Sequence, residues 1–448
     1  MDIMVILQVI VLFGGIFLGI KIGGMGVGYA GGLGVIIMTL FLGMDTKMSY
    51  IPIDVILIIA SVISAITALQ VAGGLDYLVQ VTEKFIRKHP KQINYIAPIA
   101  AYLLTILAGT GHTAYSIIPV IVEVAKSQNI KPSAPLALSV VSSQVAITAS
   151  PISAAFVAMT GVCEPLGVSY PMLLMICIST TFVAMLITSF IVNKFYNLDL
   201  SKDPVYQERL AKGLIAEVKA AQYKELQPYA KRSVAIFCIG VFVIVAYALA
   251  ISPTIGLIEP VILGRDNAII SFMLTVGMLI VMLCKVDSSK LISTSTFQSG
   301  MNACICVMGI AWLGNTFVNG HLDSLKDFTS QIISQYPFIL AIALYFLSCL
   351  LYSQAATAKV VMPAVALALG MTSPENSQQV WILVASFAAA SGLFILPTYP
   401  TTLAAIAMDD TGTTRVGKFV FNHSFIVPGT IMVAISVCLG FIVAPILL

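Results

Sequence analysis

Charge is what this chain has least of: 10% of its 448 residues are Asp, Glu, Lys or Arg, against roughly 25% in an ordinary soluble domain. That scarcity excludes a soluble globular protein. No tract of lysine and arginine stands in an otherwise polar surface, so nothing predicts nucleic-acid binding. The eight cysteines have neither the spacing of a metal site nor the setting of a disulfide framework. Seven of them fall within or beside apolar runs, where cysteine acts as a small hydrophobe, and Cys163 is read as a loop residue. No metal or cofactor site is expected. The strict alternation of a membrane barrel is missing too, which leaves helices as the spanning elements.

What remains is apolar: 59% of the residues are hydrophobic. Runs near or above the roughly 20 residues that cross a bilayer as helix recur from end to end. Single spans are predicted at 4–20, 22–43, 52–76, 134–160, 170–193, 233–252, 267–284, 297–319, 378–408 and 424–446. The first run has no basic residues before it and no small-residue cleavage site after it, so it reads as a span rather than a signal peptide. Two further regions, 94–125 and 337–370, are interrupted by GTGHT and SQAAT. Each reads either as two crossings or as a re-entrant hairpin.

With the amino terminus outside and both regions re-entrant, all of the 23 lysines and arginines except Lys47, Arg265, Lys326 and Lys359 fall on the cytoplasmic side. This follows the rule that short cytoplasmic loops collect positive charge, and it puts both termini in the periplasm. The one long hydrophilic stretch, 194–232, is then a cytoplasmic linker. Its Leu210, Leu214 and Val218 stand at helical spacing, as in a helix on the membrane surface or a solvated connector.

The pattern on one side of the linker repeats on the other. GTGHTAYSIIP (109–119) aligns with SQAATAKVVMP (353–363), and SSQVAITASPISAAFVAM (142–159) with SGLFILPTYPTTLAAIAM (391–408). Five full spans per half, an odd number, make the second half inverted relative to the first. Inverted repeats interrupted at matching places mark a secondary transporter whose substrate sits near the midplane, where helices break. The expected fold is therefore an all-α integral membrane protein of two inverted repeats, each with about five transmembrane helices and one re-entrant hairpin.

An unwound backbone in lipid is tolerated only where it lines a cavity, and four breaks are expected to converge here. Pro151, Pro397 and Pro400 stop helical hydrogen bonding, and Gly109 and Gly111 permit a tight tip. The candidate substrate-binding residues are Thr110, Gly111, His112 and Thr113; Ser143, Gln144, Ser150 and Pro151; Ser353, Gln354, Ala355, Thr357 and Lys359; and Thr398, Tyr399, Pro400, Thr401 and Thr402. Ser116, Thr148 and Ser153 add hydroxyls nearby. No acidic residue lies in the breaks, so the site is built for an anion. Lys359 has no Asp or Glu near it in sequence, which predicts that an incoming carboxylate pairs with it; snorkelling to the headgroups is the structural alternative.

GVGYAG (26–31) matches GxGxxG but sits inside a membrane run with no preceding strand, so it reads as close helix packing rather than a nucleotide site. A membrane enzyme using His112 lacks a carboxylate to orient the histidine and a nucleophile elbow.

At GTGHTAYSIIP, ASPIS, SQAA, ILPTYP and GTTRVGKFVFNHSFIVPG the chain resembles the anaerobic four-carbon dicarboxylate transporters of bacteria, the DcuA/DcuB type, from its first span to its last. The resemblance implies an inner-membrane antiporter of fumarate, succinate, malate and aspartate. A coupled symporter of a related anion is the alternative. A separate reading, a sensor or assembly partner of a membrane sensor kinase, is disfavoured as the sole role by the absence of a soluble effector domain in the sequence and is kept only as a secondary interaction. The chain is similar more distantly to the ion transporter superfamily, which implies an elevator in which a mobile domain slides against a dimeric scaffold. On that likeness, 1–93 and 233–336 hold the scaffold helices, and 94–193 and 337–448 the hairpins and mobile helices. Thr402 stands where members of the DcuA/DcuB type often carry Asp, so no proton-coupling role carries over to it.

Overall fold

The computed structural model describes residues 3–22, 25–51, 53–215, 225–251, 256–321, 333, 335–351, 353–371, 373–397, 399–417 and 422–448. Among them the regular structure is helical, apart from two isolated bridges. The first half runs α1 (Ile3–Ile22), α2 (Gly26–Ile36), α3 (Ile53–Val71), α4 (Gly74–Lys88), α5 (Ile93–Ala108), α6 (Ile118–Ser127), α7 (Ser133–Ile147), α8 (Ala154–Cys163) and α9 (Tyr170–Phe195). After the short α10 (Pro204–Ala211) come α11 (Ala230–Ala250), α12 (Arg265–Leu283), α13 (Ser295–Gly320), α14 (Phe338–Leu351) and α15 (Gln354–Ala368). The chain closes with α16 (Val380–Ser386, continued as a 3-10 helix to Phe394), α17 (Pro400–Met408) and α18 (Ile426–Leu447).

Five described helices, namely α9, α11, α12, α18 and the 296–317 part of α13, are long and apolar enough to cross a membrane unaided. The runs expected at 134–160 and 378–408 are broken, as α7 with α8 and α16 with α17. The expected span at 52–76 ends early: at Gly73, whose φ of +80° suits glycine, the chain turns by 75° into α4. Cys163, expected in a loop, is the buried last residue of α8.

Helix starts follow proline and small caps. Pro119, Pro171, Pro204 and Pro400 occupy first-turn positions, where a missing N–H costs nothing. Ser153 caps α8 by accepting from the Phe156 N–H at 3.1 Å.

Three apolar cores organise the described residues. One gathers α5 to α9 with α14 to α18; a second is centred on α3, α11 and α12; a third joins α1, α2 and α13. Helix α3 packs on α12, α2 on α13, and α9 on α18. The α2–α13 contact explains GVGYAG: a Cβ on Gly28 or Gly31 would collide with the backbone of Ile305 or Gly309.

The linker is held at both described ends. Asp203 caps α10, accepting from Val205 N–H at 3.0 Å, and meets Lys131 at 3.3 Å and Arg415 at 3.5 Å. Arg209 donates to the Asp410 carbonyl at 2.8 Å. Further on, Gln227 packs against Gly73, and Lys231 lies 5.9 Å from the Tyr77 ring centre. Leu210 and Leu214 are exposed, while Val218 lies outside the described residues.

Candidate functional site

The first tip forms where Gly109 ends α5 at φ +67°, its N–H bonded to the Thr105 carbonyl at 2.8 Å. A 3-10 turn, Gly111–Ser116, follows. Within it the Thr113 hydroxyl donates to the Thr110 carbonyl at 3.2 Å.

At the first broken helix, α7 tightens before it stops. The amides of Thr148, Ala149 and Ser150 bond three residues back, to Val145, Ala146 and Ile147, at 3.1, 3.1 and 3.3 Å. Hydroxyls then staple the break. Ser150 donates to the Ile106 carbonyl at 2.8 Å, Ser153 to the Ile147 carbonyl at 2.6 Å, and Tyr170 to the Pro151 carbonyl at 3.2 Å.

Because the Thr148 amide turns to Val145, the Gln144 carbonyl loses its helical partner. The side-chain amide of Gln354, from the second tip, replaces it at 2.5 Å and also donates to Ser391 Oγ at 3.1 Å. Gln144 in turn donates to Thr401 Oγ1 at 3.3 Å. Both broken helices and the second tip thus meet in one fully buried polar node.

The second half breaks by different means. Ser391 and Gly392 leave helical geometry, and the Gly392 amide finds Ser348 Oγ at 3.0 Å. Thr402 donates to the Tyr399 carbonyl at 2.6 Å as α17 begins at Pro400. His423 faces the Ile395 carbonyl through Nε2 at 3.0 Å and accepts the Phe425 N–H on Nδ1 at 3.3 Å, an arrangement that fits a neutral ring with its proton on Nε2.

All four breaks line one cavity of about 130 Å³. Gly109 and Thr110 come from the first tip, and Ile152, Ala154 and Ala155 from the first broken helix. Ser353, Gln354 and Ala355 come from the second tip, and Leu393 and Tyr399 from the second broken helix. Ile58, Ile59, Val62 and Ile63 of α3 form the facing wall with Gly300 and Cys306 of α13. Among the described residues the lining holds no charged side chain. Helices α8 and α15 begin at it, and α17 begins one residue beyond Tyr399. First-turn amides have no acceptor within their own helix, so these ends bring positive partial charge toward one apolar-walled space.

Of the residues expected at a site, Thr110, Ser353, Gln354, Ala355 and Tyr399 line the cavity. Gly111, Ser143, Gln144, Ser150, Pro151, Thr357, Thr401 and Thr402 are buried behind it, Thr113 is half-buried and Pro400 is exposed. Ser143, Thr148 and Thr357 spend their hydroxyls on carbonyls of their own helices at 2.7 to 2.8 Å. Thr398 and the side chains of His112 and Ser116 lie outside the described residues.

Lys359 corrects the sequence reading. It does not line the cavity, and it has a carboxylate partner: Asp54 on α3, 305 residues away in the chain. Nothing local could reveal that pairing, although Asp54 near the start of the apolar 52–76 run is a signal in itself. Also missed were Ser391 in the polar node and Cys306 in the wall, which look like ordinary helix residues in sequence. Among the described residues no group of three or more His, Cys, Asp or Glu is placed to hold a metal ion.

Comparison with known proteins places this geometry. A family model described as anaerobic C4-dicarboxylate membrane transporter matches residues 4–448. The chain is 58% identical over 441 residues to the C4-dicarboxylate transporter DcuA of Helicobacter pylori, covering 98% of this chain and 99% of that one. It is 51% identical over 445 residues to DcuA of Escherichia coli, covering 99% and 100%. To the anaerobic C4-dicarboxylate transporter DcuB of Escherichia coli it is 34% identical over 452 residues, covering 98% of each. In fold it is similar to the crystal structure of the Alcanivorax borkumensis YdaH transporter, with a TM-score of 0.53 at 15% identity over 91% of this chain and 87% of that one. Neisseria gonorrhoeae MtrF gives a TM-score of 0.51 at 12% identity over 92% and 84%. With its apolar helices and a match over nearly its whole length, the chain belongs to the anaerobic C4-dicarboxylate membrane transporter family, a family of multi-pass carriers rather than enzymes.

Proposed function

We propose that this protein exchanges C4-dicarboxylates across the bacterial inner membrane, taking in fumarate, malate or aspartate and releasing succinate. One observation carries the reading: a cavity at which helix amino ends converge and whose lining, among the described residues, carries no carboxylate. Such a space favours an anion. Thr110, Ser353 and Tyr399 make part of the lining polar, as a ligand rich in oxygens requires. The buried residues behind them hold the tips in place.

Exchange also answers an energetic problem. Bringing a dianion into a negative interior is opposed by about 4.6 kcal/mol per 100 mV, and trading one dianion for another cancels that cost.

In this reading the two halves are inverted repeats with periplasmic termini. The recurring order of helices, hairpin and broken helix supports it, as does the matched packing of α3 on α12 and α2 on α13. Residues 1–93 and 233–336 form the scaffold of a homodimer, and 94–193 and 337–448 the moving part. The cavity lies between the two sets, as an elevator requires.

Counterflow in proteoliposomes tests the exchange. Labelled succinate should enter only vesicles preloaded with unlabelled dicarboxylate. Equal entry into empty vesicles under a sodium or proton gradient would establish symport instead.

A further inference from the structure

We propose that Arg265 is a positioning residue for the dicarboxylate site: from α12 it holds one end of α8 directly and the other through Tyr170, and so fixes the helix amino end that opens on the cavity. The inference rests on that cavity being where the dicarboxylate binds.

Arg265 opens α12, which packs along α3, the facing wall of the cavity. Its two partners stand on the other side, Glu164 at the carboxyl end of α8 and Tyr170 at the start of α9. The guanidinium grips the Glu164 carboxylate with both arms of its fork, at 2.6 and 2.5 Å. Its central carbon lies over the Tyr170 ring, 4.6 Å from the centroid. Tyr170 is fully buried and meets Phe156 of α8 edge-on, with 5.3 Å between ring centres. The tyrosine hydroxyl donates to the Pro151 carbonyl in the break. Ile152 comes next, lines the cavity and abuts Gly109 of the first tip.

Helix stability does not explain the pair. A carboxylate at the carboxyl end of α8 and a cation at the amino end of α12 each face the unfavourable pole of their own helix. The Arg265 side chain is 9% exposed, and its Nε makes no hydrogen bond among the described residues. An ion pair so placed adds little over apolar residues of the same shape. What it supplies is a fixed geometry between the two sides of the cavity.

Titration calorimetry with succinate, run beside thermal melting of the full chain in detergent, tests this. Arg265→Gln/Glu164→Gln leaves neither charge unpaired and should melt close to wild type, while its succinate affinity falls about tenfold. Tyr170→Phe keeps the ring, loses only the bond to Pro151, and should lower affinity to a similar extent. The triple variant should fall no further, because both changes act along one path. Arg265→Lys keeps the charge without the fork or the flat face and should not restore affinity. Asp266, beside Arg265, interacts electrostatically with Asp54 and Lys359, so a change of charge at Arg265 is felt there as well. Tyr170→Phe alters no charge and separates the two routes; it also decides alone if the double variant does not fold. Unchanged affinity in Tyr170→Phe, additive losses in the triple variant, or full rescue by lysine would overturn the proposal. A wild type that binds no succinate would overturn the proposed function, and this inference with it.

Discussion

Lys359 of α15 is ion-paired with Asp54 of α3, one helix from each side of the cavity. Gln354 and Ala355, on the cavity wall, precede the lysine on its helix, and Ile58 follows the aspartate on its own. The pair therefore bridges the two walls close to the lining, and on the proposed function an arriving dicarboxylate would compete with Asp54 for one cation.

Substitutions on the two sides should then act in opposite directions. Lys359→Gln is expected to weaken succinate binding about tenfold, the worth of a charge-assisted hydrogen bond. Asp54→Asn should strengthen it by releasing the lysine. Titration calorimetry on purified protein measures both. If the two variants weaken binding alike, the pair is a strut between helices and not a point of competition.

Gln354→Ala should destabilise the protein by about 1–3 kcal/mol, because it leaves the buried Gln144 carbonyl without its 2.5 Å donor. Ser391→Ala should cost less, since its hydroxyl stands 3.5 Å from the same carbonyl. Thermal unfolding in detergent ranks the two, and a reversed order would remove Gln354 from the centre of the node.

Gly309→Ala should be as damaging as a core cavity. A methyl there enters the space of the Gly28 carbonyl, and overpacking of this kind costs about 1–3 kcal/mol. Trp312, one turn along α13 and bonded to Thr46 at 2.8 Å, supplies a fluorescence signal for the melt. Gly32, whose Cβ would meet nothing, is the control that should tolerate alanine.

Asp203 makes stability sensitive to acid. Burial pushes its carboxyl up, but the Tyr206 N–H, Lys131 and Arg415 outweigh that and hold its pKa below the ordinary 3.8. A carboxyl depressed on folding stabilises above its unfolded pKa, and the contribution is lost as pH falls through the folded one. Asp203→Ala should lower stability by about 1 kcal/mol at neutral pH, and the gap to wild type should close below about pH 4. A gap of constant size down to pH 3 would show that the carboxylate's charge is not what matters.

Much of this fold is legible from apolar runs alone, because lipid leaves helix as the only home for them. The breaks at GTGHT, ASP, SQAAT and LPTYP were legible too, through proline, glycine and hydroxyl clusters, and their meeting at one cavity follows the correspondence between the halves. What escaped depended on distance or angle. The Asp54 partner of Lys359 is set by tertiary packing, and no local pattern encodes it. The 75° turn before α4 hid because Gly73 and Gly74 end an apolar run much as a loop would. Gln354 looked like a group free to meet a ligand, yet its amide nitrogen is spent on the protein's own backbone.

The central segment has two moorings on different helix groups: Arg209 and Asp203 on the loop around Asp410 and Arg415, and Gln227 and Lys231 on the elbow between α3 and α4. Dyes at Lys212 and Glu225 would straddle that joint. If one group slides past the other during a transport cycle, the separation of the dyes becomes a built-in ruler of the stroke.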